Sequence, residues 1–249
     1  LGLTQRGRIE FARNGGKINT DAIDNSAGVD CSDHEVNIKI LLDGLVAAGR
    51  LTRDERNAVL AEMTDEVAQL VLADNVSQND VLGIARAHAP AMLNVHRRLT
   101  ADLEARRGLV RELEVLPDEA GFAELEAAGQ GLTSPELATL LAHTKLDLTA
   151  AVLDSDLPDT PAFAARLPEY FPRLIRERFP DAIAAHPLRR EIIATLLVNE
   201  MVDGAGITYA FRLGEELAAS PTDAVRAYAV TTAVFELPQL WEQLRAPRI

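Results

Sequence analysis

Cysteine is nearly absent. The single Cys31 excludes an internal disulfide framework and fits a reducing, cytoplasmic compartment. Aromatic residues fill 4% of the 249 positions, while Ala, Leu and Glu abound, a balance that favours helix. Positive charge is scarce: 25 Lys and Arg against 38 Asp and Glu leave a formal charge of −13. That surface argues against a nucleic-acid partner, which needs clustered Lys and Arg, and against docking on anionic lipid. No window of about 18 uninterrupted apolar residues occurs, so no membrane-spanning helix is expected. No signal peptide is visible, and a chain that opens on Leu1 rather than Met reads as a piece of a longer one. What the sequence does hold is 47% hydrophobic residues, enough for a sizeable core in one large domain or two smaller ones.

The first stretch mixes signals. Residues 4–12 read as a short helix with Thr4 as its N-cap, stopped by Asn14-Gly15-Gly16. Residues 17–20 read as a short strand and residues 21–26 as a turn-rich loop. A helix, a Gly turn, a strand and a loop into another helix is the grammar of a parallel sheet with crossover helices. From residue 29 to 48 the pattern turns helical. Val29, Ser32, Val36 and Ile40 recur at three- and four-residue steps, and Leu41 and Leu45 continue the stripe. Asp30, Asp33 and Glu35 crowd the first turns, where carboxylates favour the positive end of the helix dipole, and Gly49 is placed as a C-cap.

Everything afterwards reads as helix. Thr52 and Thr64 cap two segments, and Ser77 opens a long one reaching Arg107 that Pro90 should kink or divide. Ser134-Pro135-Glu136 is a cap followed by Pro at the first helical position, for a helix running to His143 or beyond. The prolines at 158, 161, 168, 172 and 180 imply short helices and turns around Tyr170-Phe171. Residues 188–202 form an apolar helix broken by Gly204-Ala205-Gly206, and further helices cover residues 208–217 and 221–235.

Chemistry concentrates in the run Asn25-Ser26-Ala27-Gly28-Val29-Asp30-Cys31-Ser32-Asp33-His34-Glu35. The small-residue step lets the backbone come close to a ligand. Asn25 both donates and accepts, and the Ser32 hydroxyl lies farther along the helix, so a carboxylate or amide fits between them near a positive helix end. The plainer reading of the same residues is a capped helix start behind a polar loop. Consecutive residues point around the helix axis, so Asp30, Cys31, Asp33 and His34 do not converge as four ligands, and no metal is assigned. Cys31 beside two aspartates is a poor nucleophile. His88 and His96 are placed at the surface or in grooves, His143 and Lys145 at a helix end, and His186 before Pro187 in a turn.

The run resembles the Asn-Ala-Gly-Gly-Val-x-x-Ser-x-x-Glu motif of the amino-acid dehydrogenases, the glutamate dehydrogenases in particular. Asn25, Gly28, Val29, Ser32 and Glu35 fall at matching spacing, with Ser26-Ala27 replacing Ala-Gly. The fuller wording around it, together with Gly131-Leu132-Thr133-Ser134-Pro135-Glu136, Tyr170-Phe171-Pro172 and His186-Pro187-Leu188-Arg189-Arg190, is similar to the very large NAD-specific bacterial members of that family. The resemblance implies a mainly α chain. Residues 1–48 would be the closing part of a Rossmann-type NAD-binding catalytic domain, a short α/β remnant, and residues 49–249 a multi-helix C-terminal domain.

It also implies roles. Asn25 and Gly28 would face the cofactor NAD, Asn25 at the nicotinamide end, and Ser32 would bind the side-chain carboxylate of L-glutamate. The product would be 2-oxoglutarate, and the enzyme a homo-oligomer. No Gly-x-Gly-x-x-Gly and no assignable catalytic Lys or Asp is found, so these would lie upstream in the same chain and this piece alone would be catalytically incomplete. The alternative is a non-catalytic helical scaffold or oligomerisation module.

Overall fold

A computed structural model describes residues 2–245. It is mainly helical, with sixteen α-helices and no strand among the described residues. Helix α1 (Gln5–Arg13) and the single turn α2 (Asp21–Asp24) lead into α3 (Ser26–Ala47). Helices α4 (Arg53–Glu62) and α5 (Thr64–Ala87) double back, followed by α6 (Leu93–Arg107) and the short α7 (Arg111–Glu114) and α8 (Glu119–Ala127). Next comes α9 (Ser134–Leu153), then a proline-rich stretch carrying α10 (Pro161–Ala164), α11 (Arg173–Arg178) and α12 (Pro180–Ala184). Helices α13 (Arg189–Ala205), α14 (Tyr209–Leu217), α15 (Pro221–Val234) and α16 (Leu237–Arg245) complete the chain. None of them is long and apolar enough to cross a membrane.

Capping chemistry sets most boundaries. Thr4 caps α1 by accepting from the Gly7 amide, and Thr52 with Glu55 forms a reciprocal capping box at α4. At α9 the box is Thr133 with Glu136, one residue earlier than the cap read at Ser134. Glu136 is 1% exposed and also takes a charged hydrogen bond from Arg13, so α1 docks on the start of α9. Gln5 adds bonds of 3.1 and 3.2 Å to the Pro135 carbonyl and the Thr139 hydroxyl.

Four expectations are corrected. The strand at residues 17–20 does not form, because no second strand lies beside it. Its polar groups are met by side chains instead: Arg8 donates to the Asn19 carbonyl at 3.0 Å, and the Asn19 amide donates to Asp24 at 3.2 Å. Ser77 starts no new helix, since α5 runs unbroken from Thr64 to Ala87, and Thr64 bonds back to the Leu60 and Ala61 carbonyls rather than capping. Pro90 does divide α5 from α6. The buried stripe of α3 is rotated from the one read in sequence: His34, Ile38, Leu41, Leu42 and Leu45 are buried, while Val36 is 49% exposed.

The core is one continuous hydrophobic cluster reaching from Ile23 to Tyr228. Its centre is α9, whose first turns are buried on every side, and it packs on α1, α5, α6, α13 and α15. Each buried leucine there contributes roughly 1.5–3 kcal/mol relative to exposure. Just before this helix the chain comes very close to the connection between α5 and α6 at Gly131, where an added Cβ would lie 2.3 Å from the Ala89 carbonyl carbon and 2.5 Å from the Pro90 nitrogen. Both are backbone atoms that cannot swing aside. Gly131→Ala is therefore expected to destabilise by about 1–3 kcal/mol or more. Gly83→Ala, with open space around it, should be neutral or mildly stabilising. Paired chemical melts check this; equal midpoints for the two variants would contradict it.

Candidate functional site

Helix α3 presents two faces of interest. On the outer one, Asn25, Gly28, Ser32 and Glu35 are all exposed and follow one another at three- and four-residue steps, so they line one side of the helix. The side chains of Ser26, Ala27 and Val29 lie outside the described residues. Asn25 sits at the junction of α2 and α3 with φ −119° and ψ 43°, and its side chain makes no capping bond. It arches over Gly28, where an added Cβ would stand 2.8 Å from the Asn25 Nδ2. The close approach read at Gly28 is thus met here by Asn25 itself. Glu35 pairs with Lys39 one turn on.

The turn that carries Asn25 is tied down from below. Arg8, 7% exposed, reaches Asp24 at 2.7 Å and Asp21 at 3.1 Å besides the Asn19 carbonyl. From α5, Asn75 donates to the Ile23 carbonyl at 3.0 Å. Two helices therefore fix the entry to α3.

The inner face of α3 borders a cleft of about 480 Å³. Asp30 and His34, one turn apart, meet Asp74 of α5, and one ligating atom from each lies within 4.8 Å of the others. His34 is 4% exposed; its Nε2 lies 3.4 Å from Asp74. Its ring stacks on Tyr170, with centroids 4.6 Å apart and planes 25° apart. Asn37 donates to the Tyr170 hydroxyl at 2.9 Å. Tyr170 meets the edge of Phe171, which leans on His186. The His186 Nδ1 accepts from the Leu188 amide at 3.1 Å, so its Nε2 carries the proton and donates to the Asn37 carbonyl at 3.0 Å. His186 thus orders its turn as read from the sequence.

The cleft is acidic. Burial, followed by the neighbouring charge of Asp74, pushes the Asp30 carboxyl up to about 6. Burial also raises Asp203 despite its ion pair with Lys145 at 2.8 Å, and burial carries the Tyr170 hydroxyl to about 12. Arg166 spans Glu169 and Glu200. The Asp30–His34 spacing was visible in the sequence as a turn of helix. Asp74, Tyr170 and Asp203 were not, because no local pattern joins residues separated by 40 positions or more.

Two histidines correct the reading above. His96 is not at the surface but 2% exposed inside α6. His143 and Lys145 lie within α9 rather than at its end, and their partners are Glu114 at 3.1 Å and Asp203. His88 is exposed.

Comparison with known proteins concerns the chain as a whole. Residues 1–85 match the family described as "Bacterial NAD-glutamate dehydrogenase, catalytic domain", and residues 129–247 match "Glutamate dehydrogenase, C-terminal". The chain is 57% identical to an "NAD-specific glutamate dehydrogenase" of Mycobacterium tuberculosis over 100% of its length. It is 44% identical over 99% to a protein of that name from Halomonas elongata, and 45% identical over 98% to another from Pseudomonas aeruginosa. In each case it spans 15% of the relative.

Proposed function

From the matches to glutamate dehydrogenase families and to relatives named NAD-specific glutamate dehydrogenase, we propose that the chain is part of such an enzyme and serves in the oxidative deamination of L-glutamate to 2-oxoglutarate and ammonia. NAD supplies the hydride acceptor. Residues 1–48 act as the closing part of a Rossmann-type catalytic domain and residues 49–249 as its helical C-terminal domain. The whole is a cytoplasmic homo-oligomer whose remaining machinery lies upstream in the same protein.

The observation that carries this reading is the outer face of α3. Asn25, Gly28 and Ser32 lie exposed along one side of a helix whose other side is locked into the core. Asn25, with a side chain that makes no capping bond, is available to hold the nicotinamide amide. Gly28, without a Cβ, leaves room for the Asn25 side chain to lie over the helix start. Ser32 donates its hydroxyl to the distal carboxylate of glutamate, away from the bond that changes. The hydride leaves the α-carbon, water adds to the resulting imine, and ammonia departs. The helical remainder serves as scaffold, a reading favoured by the exposed Val230, Val234 and Phe235 on and just beyond α15.

In the full-length enzyme, Ser32→Ala removes a charge-assisted hydrogen bond of about 1.5–3 kcal/mol. Glutamate efficiency should fall roughly ten- to a hundredfold, mostly in KM, with NAD affinity nearly unchanged. Asn25→Ala should instead lower kcat by loosening the hydride geometry. Steady-state kinetics with melting curves separate these outcomes from a mere capping role, in which both variants would lose stability and keep normal kinetics per folded molecule. Unaltered glutamate kinetics in folded Ser32→Ala would end this assignment.

A further inference from the structure

We propose that Asp30, His34 and Asp74 form a site for one divalent transition-metal ion, Zn²⁺ or Mn²⁺, bridging α3 and α5 at the wall of the acidic cleft. Two carboxylates and one imidazole, each offering an atom within 4.8 Å of the others, are a mixed oxygen and nitrogen donor set. Such sets suit first-row divalent ions, whose bonds to these ligands run at about 2.0–2.2 Å. Asp74 has a half-exposed side chain, so it has room to turn inward to that distance.

Two further features point to a missing cation. His34 is 4% exposed and lines the cleft, and its Nε2 faces Asp74 at 3.4 Å with no other partner among the described residues. The Oδ2 of Asp30 is buried without a donor. Unpaired buried polar atoms are costly and call for a partner. The nearby basic side chains are already committed, Lys145 to Asp203 and Arg166 to Glu169 and Glu200. Among the described residues neither Asp30 nor Asp74 pairs with Lys or Arg.

The imidazole is held in a fixed orientation. Its ring plane is fixed by stacking on Tyr170, whose hydroxyl is itself held by Asn37. Three protein ligands leave the remaining positions open to the cleft. An ion here would clasp α3 to α5 on the side opposite Asn25 and Ser32, independently of what those residues bind.

The test uses the full-length protein stripped with a chelator, titrated with Zn²⁺ by calorimetry and with Mn²⁺ by electron paramagnetic resonance. Wild type should bind one more ion per chain than His34→Gln or Asp74→Asn, or bind it at least tenfold more tightly. Asp33→Asn, an exposed cleft carboxylate outside the trio, should leave that ion in place. Asp74→Asn keeps the proposal testable if the buried His34 variant fails to fold. Identical stoichiometry and affinity in wild type and Asp74→Asn would overturn the site, as would an equal loss in Asp33→Asn, which would mark diffuse attraction to an acidic wall.

Discussion

Phe171→Ala is expected to lower the stability of the chain by about 3–5 kcal/mol, the usual cost of emptying a phenyl-sized space in a packed core. Phe171 is 1% exposed. Its ring is wedged between the Tyr170 ring, with centroids 5.3 Å apart, and the His186 ring at 5.7 Å. Pro172 follows it and α11 begins at Arg173, so the backbone has little freedom to collapse into the gap. The loss should spread to the cleft, because Tyr170 is the platform on which His34 stacks. Denaturant unfolding of the variant and the wild type measures the difference. A loss below about 1 kcal/mol would mean that the segment between α9 and α13 repacks freely, and the account of it as a fixed wall would fail.

Acid should weaken the fold through His96. Burial holds this imidazole neutral and lowers it to about 4 from an ordinary 6.5. The unfolded chain takes up the proton first as pH falls, so stability is fully present above about 6.5 and is lost progressively down to about 4. That gap corresponds to roughly 3 kcal/mol at most. Asp30 acts in the opposite sense over part of the same range, since its folded carboxyl holds a proton that the unfolded one has released. A comparison with His96→Leu isolates the histidine. The substitution replaces a ring whose Nδ1 has no partner by an apolar side chain, and should flatten the dependence between pH 7 and 4.5 in urea. If both proteins lose stability in parallel, His96 is not the acid-sensitive group.

Capping residues made much of the fold legible. Thr4, Thr52, the box at Thr133 and the Pro90 break all act locally, and the structure follows them to within a residue. The strand at residues 17–20 was misread because a strand is a property of two segments, and only one is here. The stripe of α3 was misread because its amphipathic pattern is weak: it carries Val36 outward while burying His34. His96 was misplaced for a related reason, as its burial depends on helices that are remote in sequence. The Asn25–Ser32 spacing was legible because a helix fixes it. The partner carboxylate of Asp74 was not, since it arrives from the next long helix.

The uninterrupted cluster from Ile23 to Tyr228 also constrains how such a chain can drift over generations. A leucine on α3 and a methionine on α13 belong to one packing problem, so a change of volume in one is answered by its neighbours across the whole set. Recombination at Gly49 would transplant one wall of an interior without its counterpart. Inheritance therefore favours exchange of the entire helical assembly, with the surface of α3 that carries Asn25 and Ser32 travelling as part of it.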